Sequence, residues 1–240
     1  MIDLHTHTIF SDGDLIPAES AQRAAVAGYK AMAFTDHADA SNIDLILEHV
    51  RRASEQLSVY ADIELYCGVE LTHIPPGLIG EMTEYARSAG AEIVVVHGET
   101  IVEPVPVGTN LAAIEAGVDV LAHPGLITPE EVALAAAKNV ALEITTRKGH
   151  SLTNGHVASL ARDLGAPLVI NNDAHTVGDM VSKAMRQNIA LGAGMTVSEI
   201  RKAEGNSLAI VQRIMKRRLN RLGKASQAVA GSGQKAPDAS

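Results

Sequence analysis

Six short strings carry side chains able to hold metal ions. They are Asp3-Leu4-His5-Thr6-His7, Thr35-Asp36-His37, Gly68-Val69-Glu70, Val96-His97-Gly98-Glu99, Ala122-His123-Pro124-Gly125 and Asn172-Asp173-Ala174-His175. With Asp12, in Phe10-Ser11-Asp12-Gly13, they supply nine candidate ligands: His5, His7, Asp12, His37, Glu70, His97, His123, Asp173 and His175. Each string alone is also what an ordinary strand end or turn looks like. Six in order, each ending a short apolar run, are what a multinuclear metal site requires, because rigid strands then deliver nitrogen and oxygen donors to one rim. His5 and His7 are two apart, as are Asp173 and His175, and side chains two apart on a strand share a face. Glu70 ends a strongly apolar run. A buried carboxylate is costly without a cation, and its two oxygens can bridge two ions. Asp36 and Glu99 stand next to candidate ligands and are read as carboxylates that orient an imidazole from behind.

The elements that must position these residues are strands alternating with helices. Strands are predicted over Ile2–Leu4, Ala31–Thr35, Glu64–Val69, Glu92–Val96, Asp119–Ala122, Ala141–Thr145 and Pro167–Ile170. Helices are predicted over Pro17–Ala27, Asn42–Tyr60, Gly77–Ala89, Thr109–Ala116, Pro129–Lys138, Gly155–Leu164 and Gly178–Gly192, with more helix after about Ser198. Thr128-Pro129-Glu130-Glu131 is a helix-start signal, and Gly28, Gly90, Gly117 and Gly165 are helix stops. Connections of helix length imply parallel strands in right-handed crossovers. The expected fold is α/β, a distorted (β/α)7 TIM-like barrel with a C-terminal helical extension, as one domain over 1–224. An open doubly wound sheet is disfavoured, since it would spread the ligands along a line. The tail from Ala225 to Ser240 has little to bury and is read as disordered.

Composition excludes several classes. Of 240 residues, 46% are hydrophobic but only 2% aromatic, so the core must be built from Ala, Val, Leu and Ile. The net charge of -8 gives no general attraction to nucleic acid or to anionic membranes. One cysteine, Cys67, permits no internal disulfide and no zinc-finger type site. No basic-then-apolar leader and no apolar run of about 18 residues is present, so a cytoplasmic location without membrane contact is expected.

On these motifs the chain resembles the polymerase and histidinol phosphatase (PHP) superfamily. HxH at the first strand, TDH at the second, Glu after the third, His after the fourth, HPG after the fifth and DxH after the seventh are matched in order between Met1 and His175. The resemblance implies two or three divalent ions, zinc, manganese or iron, at the C-terminal rim. Carried over residue by residue, it places His5, His7, Glu70 and Asp173 on one ion. Asp12, His37 and His175 fall on a second, and Glu70, His97 and His123 on a third. Asp12 stands where some members have histidine, which favours manganese or iron over zinc there.

Three divalent ions, three carboxylates and a bound hydroxide leave about two positive charges, a trap for anions. The function expected is therefore a metal-dependent phosphoesterase acting on a small phosphomonoester, such as histidinol phosphate or a nucleotide. A hydroxide formed from metal-held water would attack phosphorus in line. Arg147 and Lys148 are candidate phosphate contacts. A phosphodiesterase or exonuclease of the same superfamily, or a non-catalytic accessory domain, is the alternative. C–N hydrolysis of the amidohydrolase type is disfavoured, since no lysine ends a corresponding strand. The basic run Arg213, Lys216, Arg217, Arg218, Arg221 and Lys224 permits nucleic-acid contact without favouring it, because nothing aromatic accompanies it. His150 and His156 are loop histidines, read as ordinary ones in preference to proton donors, His49 is read as a surface residue, and His73 stays open. The motifs leave the oligomeric state open.

Overall fold

In the computed structural model, residues 1–232 are described, with side chains up to residue 220. A parallel sheet in the order β1-β2-β4-β5-β6-β7-β8 curls into a nearly closed barrel. The strands are β1 (Ile2–Asp3), β2 (Ala31–Phe34), β3 (His37–Ala38), β4 (Glu64–Leu71), β5 (Ile93–His97), β6 (Val120–Ala122), β7 (Ala141–Thr145) and β8 (Leu168–Asn171). The helices are α1 (Pro17–Val26), α2 (Ile43–Leu57), α3 (Pro76–Ser88), α4 (Thr109–Ala116), α5 (Pro129–Lys138), α6 (Asn154–Leu164), α7 (Lys183–Gly192) and α8 (Val197–Ser232). The seven expected strands are all present. The eighth, β3, prolongs β2 in register, since Phe34 pairs with Cys67 and His37 with Glu70. That register sets His37 beside Glu70.

Beta-branched runs such as Ile93-Val94-Val95-Val96 suit strands covered on both faces. Ile93 and Val95 point into the barrel, where they meet Leu4, Ala33, Tyr66 and Val169. Val94 and Val96 point outward against the helices. The small residues Ala31, Ala33, Ala122 and Ala141 help to fill the narrow interior. Glycine-ended helices behave as expected: Gly117 and Gly165 are left-handed C-caps of α4 and α6. Thr128 and Glu131 form a reciprocal capping box on α5. The start of α7 is five residues later than the sequence predicts, because Thr176 and Asp179 cap a separate 3-10 turn over Val177–Asp179.

Backbone and side chains share the closure between β1 and β8. His7 N donates to Ala174 O at 2.8 Å and Asp173 N to His5 O at 3.0 Å. Beneath these, Leu4 N donates to Asn171 Oδ1 at 3.0 Å and Asn172 N to Asp3 Oδ1 at 3.1 Å. Burial pushes the Asp3 carboxyl up to about 6. At the opposite end, α8 stops the barrel, with Ile210, Val211 and Ile214 joining the interior cluster.

The basic run on α8 is partly explained by that docking. Arg218 forks onto the Glu92 carboxylate, donates to Leu65 O at 2.8 Å and lies 4.7 Å from the Tyr66 ring centre. Arg217 donates to Glu92 O at 2.7 Å. These two guanidiniums are committed to the barrel floor. The side chains of Arg221 and Lys224 lie outside the described residues. The assigned span of α8 runs past Ala225, where the sequence suggests order ends, and 233–240 lie outside the described residues. Among the described residues no helix is long and apolar enough to cross a membrane.

Cys67 is buried, and burial pushes its thiol up to about 12. At pH 8 roughly one molecule in ten thousand then carries the thiolate. Native protein is expected to resist iodoacetamide at pH 8 and to react fully in denaturant. Mass spectrometry of the labelled chain checks this, and rapid native labelling would contradict the burial.

Candidate metal centre

All nine candidate ligands lie at the C-terminal rim, and their donor atoms converge. The Nε2 atoms of His5 and His7 are 3.1 Å apart. Glu70 Oε1 lies 3.2 Å from His5 Nε2, and Glu70 Oε2 lies 2.7 Å from His37 Nδ1. Asp173 Oδ1 is 3.2 Å from His7 Nε2, and Asp173 Oδ2 is 3.6 Å from His123 Nε2. Asp12 Oδ1 sits 3.2 Å from His175 Nε2 and 3.5 Å from His37 Nε2. Two donors about 2.1 Å from one tetrahedral ion are about 3.4 Å apart, so these spacings suit donors that share an ion, apart from the 2.7 Å contact of Glu70 with His37 Nδ1, which is a hydrogen bond.

Strand register explains several placements. Glu70 and Glu143 lie on interior positions of β4 and β7, and His97 ends β5 after the interior Val95. His123 and Asp173 have φ of +24° and +52°, which turns them out of simple alternation. Such left-handed backbone in residues other than glycine persists where surrounding structure enforces it. Here the β5 and β6 loops are pressed together: a Cβ on Gly125 would strike Glu99 O, and one on Gly98 would strike Ala122 O.

Electrostatics show what the donor set lacks without a cation. Glu70 and Glu143 are fully buried. Burial would raise the Glu70 carboxyl, but His5 and His37 hold it well below its ordinary value. Burial, reinforced by Glu70, pushes Asp173 up to about 7. Burial would lower His5, yet Glu143, Glu70 and Asp173 together hold it well above its usual range. His7 and His123 go the other way, lowered first by burial and then by His37 and His97 respectively. Neighbouring imidazoles thus compete for too few protons. Three buried polar atoms at the centre, His7 Nδ1, Glu70 Oε1 and His123 Nδ1, also lack a hydrogen-bond partner. Orphaned donors and acceptors at such a cluster fit divalent ions.

The supporting shell differs from the expectation. Asp36 touches no imidazole. It accepts from Thr8 N at 2.7 Å, Thr8 Oγ1 at 2.8 Å and Ser11 Oγ at 2.8 Å, so it holds the loop that carries Asp12. Glu99 is spent on the start of α4, accepting from Gly108 N and Asn110 N. The carboxylate that orients an imidazole is Glu143, whose Oε2 lies 2.8 Å from His5 Nδ1 and accepts from Asn171 Nδ2 at 2.9 Å. Arg147 donates to Asp179 Oδ2 at 2.9 Å and braces the loop after β8, while Lys148 is exposed. Three residues at the rim were not among the nine. Glu103 lies 3.1 Å from His97 Nε2, His150 stacks on His123, and His73 neighbours both His97 and Glu103.

If Glu143 fixes the His5 tautomer, Glu143→Gln is expected to weaken ion binding about 10- to 100-fold. Titration calorimetry of apo protein with zinc checks this, and unchanged affinity would remove Glu143 from the site.

A parallel barrel with a histidine- and carboxylate-rich C-terminal rim defines an α/β TIM-like scaffold carrying a candidate metal centre. The PHP domain model matches residues 3–139, more than half of the chain, and the chain belongs to that family. An uncharacterized protein of Methanocaldococcus jannaschii is 49% identical over 200 residues, which cover 82% of this chain and 92% of that one. The DNA polymerase/3'-5' exonuclease PolX of Bacillus subtilis is 26% identical over 196 residues, covering 73% of this chain but 34% of PolX. Among solved structures, the "putative histidinol phosphatase hisK" of Listeria monocytogenes superposes with a TM-score of 0.55 at 13% identity, covering 75% of this chain and 97% of that one. The ochratoxinase of A. niger gives 0.60 at 14% identity, covering 88% and 71%. At these identities the two structures support the fold alone.

Proposed function

We propose that this protein is a metal-dependent phosphoesterase that hydrolyses a small phosphomonoester. The observation that carries the reading is the convergence of His5, His7, Glu70 and Asp173 on one buried point, with orphaned donor atoms around it. Membership of the PHP family and the name of one relative, a DNA polymerase/3'-5' exonuclease, support phosphoester chemistry.

The donor set would hold divalent ions in two central clusters and at the corner of His97 and His123. His5, His7, Glu70 and Asp173 form one, with His123 close by, and Asp12, His37 and His175 form the other, with His7 within reach. Bound there, such ions acidify water and neutralise charge on a phosphoryl group. The chain's own residues do the positioning. Glu143 accepts the His5 Nδ1 proton and leaves the Nε2 lone pair facing the centre. Asp36 braces Thr8 and Ser11 so that Asp12 stays at the mouth. Glu70 links the two clusters: one oxygen lies close to His5 Nε2, and the other accepts from His37 Nδ1, whose Nε2 faces Asp12. Arg147 carries Asp179 on one nitrogen, and its remaining N–H groups, with the Lys148 ammonium, are assigned to non-bridging phosphate oxygens.

The test is turnover by zinc-, manganese- and iron-loaded protein on p-nitrophenyl phosphate, its bis-ester, histidinol phosphate, nucleotides and a single-stranded oligonucleotide. Monoesters are expected to be hydrolysed fastest. Preference for the bis-ester or the oligonucleotide moves the assignment to a diesterase, and inertness toward all of them overturns it.

A further inference from the structure

The corner formed by His97 and His123 is richer than the family motifs require. Glu103 lies in the loop between β5 and α4, and its carboxylate faces three imidazoles. Oε2 is 3.1 Å from His97 Nε2 and 3.5 Å from His73 Nε2, and Oε1 is 3.4 Å from His150 Nε2. His150 stacks on His123 with ring centres 4.2 Å apart, and the Nε2/Nδ1 donors of His97, His123 and His150 form one compact group.

The hydrogen bonds behind these rings fix their direction. His97 Nδ1 lies 3.1 Å from Gly98 O, a group that only accepts, so that nitrogen carries the proton. In the neutral ring Nε2 then presents a lone pair to Glu103 Oε2, and two lone pairs at that distance repel unless a cation lies between them. His150 Nδ1 is likewise engaged, 2.8 Å from Thr100 Oγ1. One proton satisfies one such pair. Several nitrogens converging on one carboxylate, at spacings close to the roughly 3.4 Å edge of a tetrahedral zinc site, suit a metal ion instead.

We propose that Glu103 and His150 are further protein ligands of the ion at the His97 and His123 corner, giving it three imidazoles and one carboxylate. The proposal rests on the metal-dependent reading of the site. It gives this corner a donor set that does not depend on Glu70, for which no contact with His97 within 4.0 Å is found among the described residues.

Ion content and affinity of apo protein titrated with zinc and with manganese test it, in wild type and in the Glu103→Gln and His150→Gln variants. Each variant is expected to lose the ion at this corner or to bind it at least about tenfold more weakly, with unaltered circular dichroism. Anomalous diffraction from the zinc-loaded wild type should place a Glu103 oxygen and His150 Nε2 within about 2.2 Å of the ion. An ion on His97 and His123 with Glu103 and His150 both beyond about 3 Å, or variants that match the wild type in stoichiometry and affinity, overturn the assignment. If the wild type takes up no ion at all, the metal-dependent reading falls together with it, whereas wild-type uptake with unchanged variants sinks this assignment alone.

Discussion

Glu70→Gln protein is expected to remain folded and to lose the proposed phosphoesterase turnover by on the order of 10^3-fold, the scale seen when one preorganised charge-stabilising group is removed. The side chain is fully buried and faces four imidazoles, at 3.2 Å (His5), 3.6 Å (His7), 2.7 Å (His37) and 3.7 Å (His123). Glutamine keeps the shape but replaces one oxygen with an NH2 group, which cannot ligate an ion through that end. Both clusters that Glu70 touches are therefore weakened together. Steady-state kinetics with parallel ion analysis check this. Wild-type turnover with a full ion complement would remove Glu70 from the centre, whatever the substrate proves to be.

The second large effect is on stability and lies at the other end of the barrel. Ile214→Asp is expected to destabilise the fold by about 4 kcal/mol or more, since it buries an unpaired charge in a closed apolar space. Ile214 is 0% exposed, and Ile210 and Val211 flank it against the interior of the strands. Ile214→Ala should cost less, in the lower part of the roughly 2–5 kcal/mol range for lost burial and the space left behind, because it adds no charge. Urea unfolding followed by circular dichroism separates the two. A loss below about 1 kcal/mol for Ile214→Asp would mean that α8 leaves the barrel floor without penalty.

Much of this architecture is legible in the sequence because its signals are local. Apolar runs of four to five residues, glycine stops and the Thr128 cap mark elements that the structure reproduces, with α4 and α5 matching to the residue. Eight of the nine candidate ligands are legible because their strings end such a run, and Asp12 is legible only as the Asp-Gly of the first loop. What escapes is set by long-range geometry. Glu99 and Asp36 adjoin ligands in sequence, yet their carboxylates turn to backbone and hydroxyl donors that need them more. Glu143 could have been found, because a carboxylate inside Ala141-Leu142-Glu143-Ile144 raises the same burial question as Glu70. Glu103 has no such mark. It sits among prolines in an irregular loop, and only the folded β5 and β6 loops bring it to His97. His150 is similar, reaching His123 through a short 3-10 turn over His150–Thr153 that periodicity does not signal.

The side chain of Asn171 has two jobs at once. Its oxygen accepts from the backbone of the first strand, and its nitrogen donates to the carboxylate that aligns His5. The last stave to be synthesised therefore locks the cylinder and sets the first imidazole by the same amide. With His5 just past the first strand and Asp173 just past the last, an ion captured between them would act as a rivet between the earliest and the latest stave of the barrel to be made. Such a rivet can form only once every stave has left the ribosome, so ion capture would come late in the folding of the barrel.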